Sequence, residues 1–251
     1  MKRQIYDYRG FSLRKLNEPR FSHLKLLGGW IVYFCLYFIT ENLIPAERCT
    51  PVHCALDDLI PFNEWFVLFY VGWYALVFGS LLYTLLFDVP RFRSIQTFIM
   101  ITQAVAMVCY ILWPTRQDLR PEVFPRENLL TAVIAFIYSF DTSTGVCPSL
   151  HVAYSLGILS AGLKDRALPG WAKALLTAFV LGVCLSVCFV KQHSPWTCSP
   201  PCPCACWRRP WCTAGTTGCP DSEGRIESFL LQLFLFRQKK KVAQKEKRRK
   251  K

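Results

Sequence analysis

Apolar positions in this chain come in long blocks, not in the alternating or 3.6-residue pattern of a half-exposed strand or helix. Nearly unbroken apolar runs occupy 28–45, 65–87, 97–113 and 171–190, with a shorter one at 149–163. A helix that crosses a bilayer needs about 20 mostly apolar residues. The pattern therefore predicts an all-α fold, a polytopic membrane helix bundle with five transmembrane helices. The stretches 46–64 and 114–148 are interrupted by Pro and by charges and read as loops. The late block FLLQLFLF at 229–236 is too short to span.

Composition supports this class: 52% hydrophobic, 15% aromatic and 19% charged residues do not suit an average soluble domain. The first run follows a long basic stretch without a small-residue cleavage site, so it is expected to stay in place as a span. Residues 195–251 hold 13 Lys/Arg against 4 Asp/Glu, a net +9 of the chain's +13. The remaining positive charge is placed informatively. Lys2, Arg3, Arg9, Arg14, Lys15, Arg20 and Lys25 precede the first run, Arg91 and Arg93 follow the second, and Lys164 and Arg166 follow the fourth. By the positive-inside rule these segments are cytoplasmic. Three regions result: a basic cytoplasmic N-terminus at 1–27, a membrane-embedded domain at 28–194, and an atypical tail at 195–251. The loops 46–64 and 114–148 and the end at 191–194 then face outward, with the plasma membrane as the expected location.

Of the 13 cysteines, six lie in the tail, and Cys35, Cys109, Cys184 and Cys188 read as small core hydrophobes. Cys49 and Cys54 share an outward loop where a disulfide is one option. The tail cysteines lack the paired C-x2-C spacing of structural zinc sites, so no metal is predicted there.

Polar chemistry gathers at the ends of the apolar runs. The third run is followed by WPTRQDLRPEVFPRENL, the fourth is entered through DTSTGVCPSLHVAYS, and the fifth ends in FVKQHS. From His151 to His193 the chain has room to cross the bilayer, turn at LKDRALPG and cross back, which predicts both imidazoles at one face and one depth. Two histidines with Arg116, Arg120 and Lys191 can hold and attack a phosphate. Guanidinium groups grip phosphate oxygens in pairs, and Pro148-Ser149 opens a helix whose free N–H groups favour an anion. One histidine can attack phosphorus while the other protonates the leaving oxygen. A plainer reading makes the histidines structural, Arg116 and Arg126 solvated, and Asp118 and Asp141 helix caps or water-facing charges. Paired ionisable residues at a membrane boundary favour the functional reading.

These residues resemble the type 2 phosphatidic acid phosphatases, six-span membrane enzymes with three motifs, over roughly residues 28–194. Pro148-Ser149-Leu150-His151 looks like the second motif, P-S-G-H, and its Leu is similar to the inositol-phosphorylceramide synthase branch. Ser186 and His193 align with the third, S-R-x5-H-x3-D, and Arg120-Pro121 with the end of the first, K-x6-R-P. The resemblance implies His193 as nucleophile, His151 as acid for the leaving alcohol, and Arg120 with Ser149 as phosphate ligands. Trp113 and Val187 stand in the Lys and Arg slots, so Arg116 and Lys191 are the candidates to supply the missing charge. It further implies a lipid phosphate substrate (phosphatidic acid or a prenyl diphosphate), a membrane setting, no cofactor, no metal and no nucleic-acid partner.

Thr197 stands in the slot of the Asp that orients the nucleophile, and the grammar of the chain changes just before it. Pro195-Trp196-Thr197-Cys198 must be encoded by CCN-TGG-ACN-TGY. Read two bases on, the same bases give NTG-GAC-NTG, an Asp between two apolar residues. If one base is missing just upstream, restoring it places that Asp four residues after His193, as in H-x3-D, and the onward frame is rich in apolar codons. The tail thus reads as out of frame, with the sixth span lost. Three functions follow: a lipid phosphatase, a phosphotransferase that replaces water with an acceptor hydroxyl, and a truncated remnant without turnover.

Overall fold

The structure, a computed structural model, describes residues 4–198; the tail from 199 onward, with its cysteines, basic run and apolar block, lies outside the described residues. The molecule is mostly helical, 67% helix against 3% strand. In chain order the helices are α1 (Gly28–Leu43), α2 (Ala55–Leu59), α3 (Val67–Phe87), α4 (Val89–Leu112), α5 (Leu129–Phe140), α6 (Leu150–Leu163), α7 (Gly170–Phe189) and α8 (Pro195–Cys198). Two short strands, β1 (Thr50–Pro51) and β2 (Thr115–Arg116), pair in parallel with Thr50 opposite Thr115.

Among the described residues four helices are long and apolar enough to cross a membrane: Ser22–Leu43, Glu64–Phe87, Val89–Leu112 and Gly170–Phe189. The molecule is therefore compatible with an integral membrane protein. The predicted fourth span forms α6, but at 14 residues it reaches only about 21 Å, short of a ~30 Å hydrocarbon core. The loop expected at 114–148 contains a second short apolar helix, α5, of 12 residues. Its start is marked locally, since Asn128 and Thr131 exchange side-chain to backbone hydrogen bonds in a capping box.

The third span begins earlier than the apolar run implied. Asp88 accepts from the Arg91 N–H and Pro90 occupies the first turn, a strong start signal at Val89. Arg91 and Arg93 therefore lie inside the helix. Arg91 pairs with Asp88 at 2.9 Å and with Asp165, in the α6–α7 turn, at 2.5 Å. Arg93 donates to Ser22, and the Tyr6 amide and Tyr8 hydroxyl donate to the carbonyls of Leu86 and Leu85 at the end of α3. The three basic segments thus meet at one end of the bundle.

The core joins α3, α4 and α6 through Trp73, Phe92, Ile99, Met107, Tyr110 and Tyr154, with Val183 of α7 against them. Close approach requires small residues: a Cβ at Gly157 would collide with the Phe98 ring, and one at Gly182 with Phe69. α1 packs against the core through the partly buried Trp30, Tyr33 and Tyr37, but none of its residues is fully buried, and its outward Ile31 and Phe38 are each 70% exposed. Such an apolar exterior suits lipid better than water.

Candidate active site at one end of the bundle

The end opposite the basic segments is built from the remaining loops. β1 and β2 tie the loop after α1 to the loop after α4, and Arg116 bridges Thr144. Gln117 N–H donates to Ser143 O, and Ser149 N–H to Thr197 O. The Asn63 N–H reaches Phe189 O, so α3 and α7 end together there.

His151 stands in the first turn of α6 and His193 four residues after α7, so the helical hairpin α6–α7 returns the chain to the same level. Their rings lie 5.6 Å apart, centroid to centroid, at 63°. His151 is flanked by Tyr70 at 4.6 Å and Trp73 at 4.3 Å, both from α3, and its Nε2 has no hydrogen-bond partner among the described residues. His193 is buried, and its Nδ1 lies 3.0 Å from the Val146 carbonyl. A carbonyl only accepts, so Nδ1 carries the proton and donates, leaving the lone pair on Nε2. Burial disfavours the imidazolium and pulls the His193 pKa down to about 4; the Arg120 charge acts the same way, while the Val146 hydrogen bond opposes.

Both histidines line one end of a cavity of about 790 Å³ that runs along α1, α3, α4 and α6. Its far wall includes Leu85 and Phe92, beside the basic end, so it extends along most of the bundle.

The predicted phosphate ligands are distributed differently. Arg120 lies beside the pair: it donates to the carbonyls of Tyr138, Asp141 and Thr142 and, at 2.6 Å, to Gln192 Oε1, and it stacks on the Tyr138 ring at 4.5 Å. Ser149 caps α6, with its hydroxyl buried and unpartnered, but it does not line the cavity. Arg116 turns away to Ala46 O and to Asp118. Lys191 Nζ donates to the carbonyls of Asp57 and Ile60, at the end of α2. Neither Arg116 nor Lys191 reaches the cavity wall, and the charged side chain that does is Asp141.

Lys191 has a conformational role as well. It sits at φ +55° just past the α7 cap, where the Gln192 N–H reaches Val187 O and the Lys191 N–H reaches Cys188 O. This is the Schellman termination, whose left-handed position favours Gly. Lys191→Ala is expected to destabilise more than Lys191→Gly by about 1 kcal/mol, since both lose the Nζ bonds but only Ala keeps the left-handed strain. Thermal unfolding of the two variants checks it, and equal stabilities would count against the assignment.

Sequence reasoning missed several site residues. Asp141 follows α5 and is half-buried, accepting from Tyr37 OH at 3.2 Å and, at 3.5 Å each, from Tyr70 OH and Gln192 Nε2. Burial pushes its carboxyl pKa up, against the pull of Arg120. Gln192 links Arg120 to Asp141 next to the nucleophile position. Thr197 does not orient His193; its hydroxyl donates to Ser194 O, and the Val146 carbonyl holds the ring. Cys49 and Cys54 are free thiols with separate partners, Pro45 O and Ser194 Oγ. Among the described residues no cluster of three or more His, Cys, Asp or Glu forms.

A bundle with four helices able to span a membrane and two imidazoles at one end of an apolar cavity is the class these features define. No protein-family model matches the chain, and neither a curated protein nor a solved structure matches it.

Proposed function

We propose that the chain is an integral membrane phosphatase that hydrolyses a lipid phosphate through a phosphohistidine, at the outer face of the plasma membrane. The observation that carries this reading is the pair of imidazoles 5.6 Å apart at the end of a long apolar cavity, one with its tautomer held by a carbonyl. In-line transfer needs about 3 Å from nucleophile to phosphorus and a similar reach from acid to leaving oxygen. The ring separation is of that scale.

In the proposed cycle His193 Nε2 donates its lone pair to phosphorus as the P–O bond to the lipid breaks. Burial and His193 disfavour the His151 imidazolium in the free site, so His151 takes up its proton only with the phosphate anion bound beside it, and then gives it to the leaving oxygen. Water then attacks the phosphohistidine, passes a proton to His151 and frees His193. Arg120, whose charge acts on His193, holds the chain around the nucleophile through its bonds to Tyr138, Asp141, Thr142 and Gln192. The test is phosphate release from dioctanoyl phosphatidic acid and from farnesyl diphosphate by the full chain in maltoside detergent with EDTA. Release in EDTA is expected, since the histidine route uses no metal. Activity that appears only with added Mg²⁺, or none with either substrate, would overturn the proposal.

A second reading, phosphotransfer to an acceptor hydroxyl such as that of inositol or a lipid, is favoured by one observation. Asp141 in the cavity wall, flanked by Tyr37 and Tyr70, is better suited to accept from an acceptor's hydroxyl groups than to face a phosphate dianion. Adding an acceptor to the same assay and recovering its phosphate ester would select this reading.

A further inference from the structure

Most buried polar groups around the cavity have partners. Trp30 Nε1 donates to Gln96 Oε1 at 3.1 Å, Gln96 Nε2 to Leu26 O at 3.1 Å, and Tyr110 OH to Pro148 O at 2.8 Å. Two donors in the cavity wall beside His151 break the pattern: Trp73 Nε1 is buried without a partner among the described residues, and the buried Tyr154 hydroxyl, which the Gln103 amide approaches as a donor, has no acceptor for its own proton there. Trp73 is 9% exposed and Tyr154 1%, and their rings stack 5.7 Å apart at 19°. Tyr154 follows His151 by three residues, so it lies one helical turn deeper on the same face of α6. The indole N–H can only donate. A buried donor left unpaired costs about 1–3 kcal/mol, so this wall is built to meet an acceptor.

Position identifies the acceptor. If phosphorus lies between His193 and His151, a group one turn deeper along the cavity is a few bonds from it. In an acyl lipid phosphate, the ester or amide carbonyls that join the chains to the backbone stand at that remove. A prenyl phosphate has only hydrocarbon there. Beyond this point the wall is apolar, with Val77, Leu81 and Leu85, which suits the chains themselves. Resting on the phosphatase reading, we propose that Trp73 and Tyr154 bind a carbonyl of the substrate, so that the site takes acyl-linked lipid phosphates in preference to prenyl or ether-linked ones.

The test compares binding of three probes to the full chain in maltoside detergent: dioctanoyl phosphatidic acid, its dioctyl ether analogue and farnesyl phosphate. Dissociation constants come from ligand-induced thermal shifts. The ester is expected to bind roughly tenfold tighter than the ether, as one or two hydrogen bonds supply. Trp73→Phe and Tyr154→Phe should each shrink that ratio severalfold. The ratio in the parent chain is informative even where a variant fails to fold. Equal ester and ether affinities, or tighter farnesyl phosphate, would overturn the carbonyl site while leaving a lipid phosphate reading intact. Absence of binding by all three would overturn both.

Discussion

His193→Ala is expected to abolish phosphate release and, with it, any phosphoenzyme trapped by acid quench. The loss should reach at least about 10⁴-fold, because removal of a covalent nucleophile leaves only binding and electrostatics to act. The substitution also deletes the hydrogen bond to Val146, so a stability control is needed. His193→Asn provides it, since its amide can still donate towards that carbonyl while having no nucleophilic ring nitrogen. An Asn variant that folds like the parent yet forms no phosphoenzyme supports the nucleophile role. Retained turnover in His193→Ala would end the histidine route.

The same residue sets a pH signature. With its pKa pulled to about 4 by burial, His193 stays neutral and nucleophilic well below pH 6.5. The acid limb of kcat/KM is therefore expected near pH 4. Stability moves the other way. Between pH 6.5 and 4 the unfolded chain binds a proton that the folded His193 refuses, so acidification costs up to roughly 3 kcal/mol. An acid limb near 6.5, with no stability loss in that window, would indicate a solvated imidazole.

Which features were legible in the sequence follows from how far each signal reaches along the chain. The long spans are self-announcing, since 20 to 24 residues of apolar helix are visible in any window. α4 was read as starting late because Arg91, Arg93 and Gln96 look like loop residues. Their polarity is satisfied by Asp165, Ser22, Trp30 and Leu26, which lie far away in sequence. α5 is too short to register as a span, and only its capping box marked it. The histidine pair was legible because a crossing and a return fit between the two positions. Asp141 was not, because its tyrosine partners come from α1 and α3, 104 and 71 residues away. No side-chain motif can announce the Val146 carbonyl, and Lys191 and Arg116 were assigned by charge alone, while their backbone partners lie 131 and 70 residues away.

Arg120 is where the sequence-based role and the geometry diverge most, and its variants carry the second large expected effect. A phosphate ligand should present free N–H groups to the cavity, yet both terminal nitrogens of Arg120 serve carbonyls and Gln192. Those carbonyls belong to Tyr138, Asp141 and Thr142, the turn that leads to Val146, and Gln192 adjoins His193. Arg120 is therefore expected to act chiefly as a positioning residue that fixes both strands of chain around the nucleophile. Arg120→Lys keeps the charge but cannot reproduce the planar fork or the stack on Tyr138. It should destabilise the fold by about 2–4 kcal/mol, since several buried acceptors lose their donors. It should also lower kcat by roughly 10²-fold with KM little changed, because small misplacements of a reacting group are costly. Gln192→Leu should reproduce part of the kcat loss, and the Arg120/Gln192 double variant should lose less than the two single losses combined, as expected for residues in one network. A ligand role would give the opposite pattern: Arg120→Lys near parental stability, KM raised severalfold, and losses additive with those of Gln192→Leu.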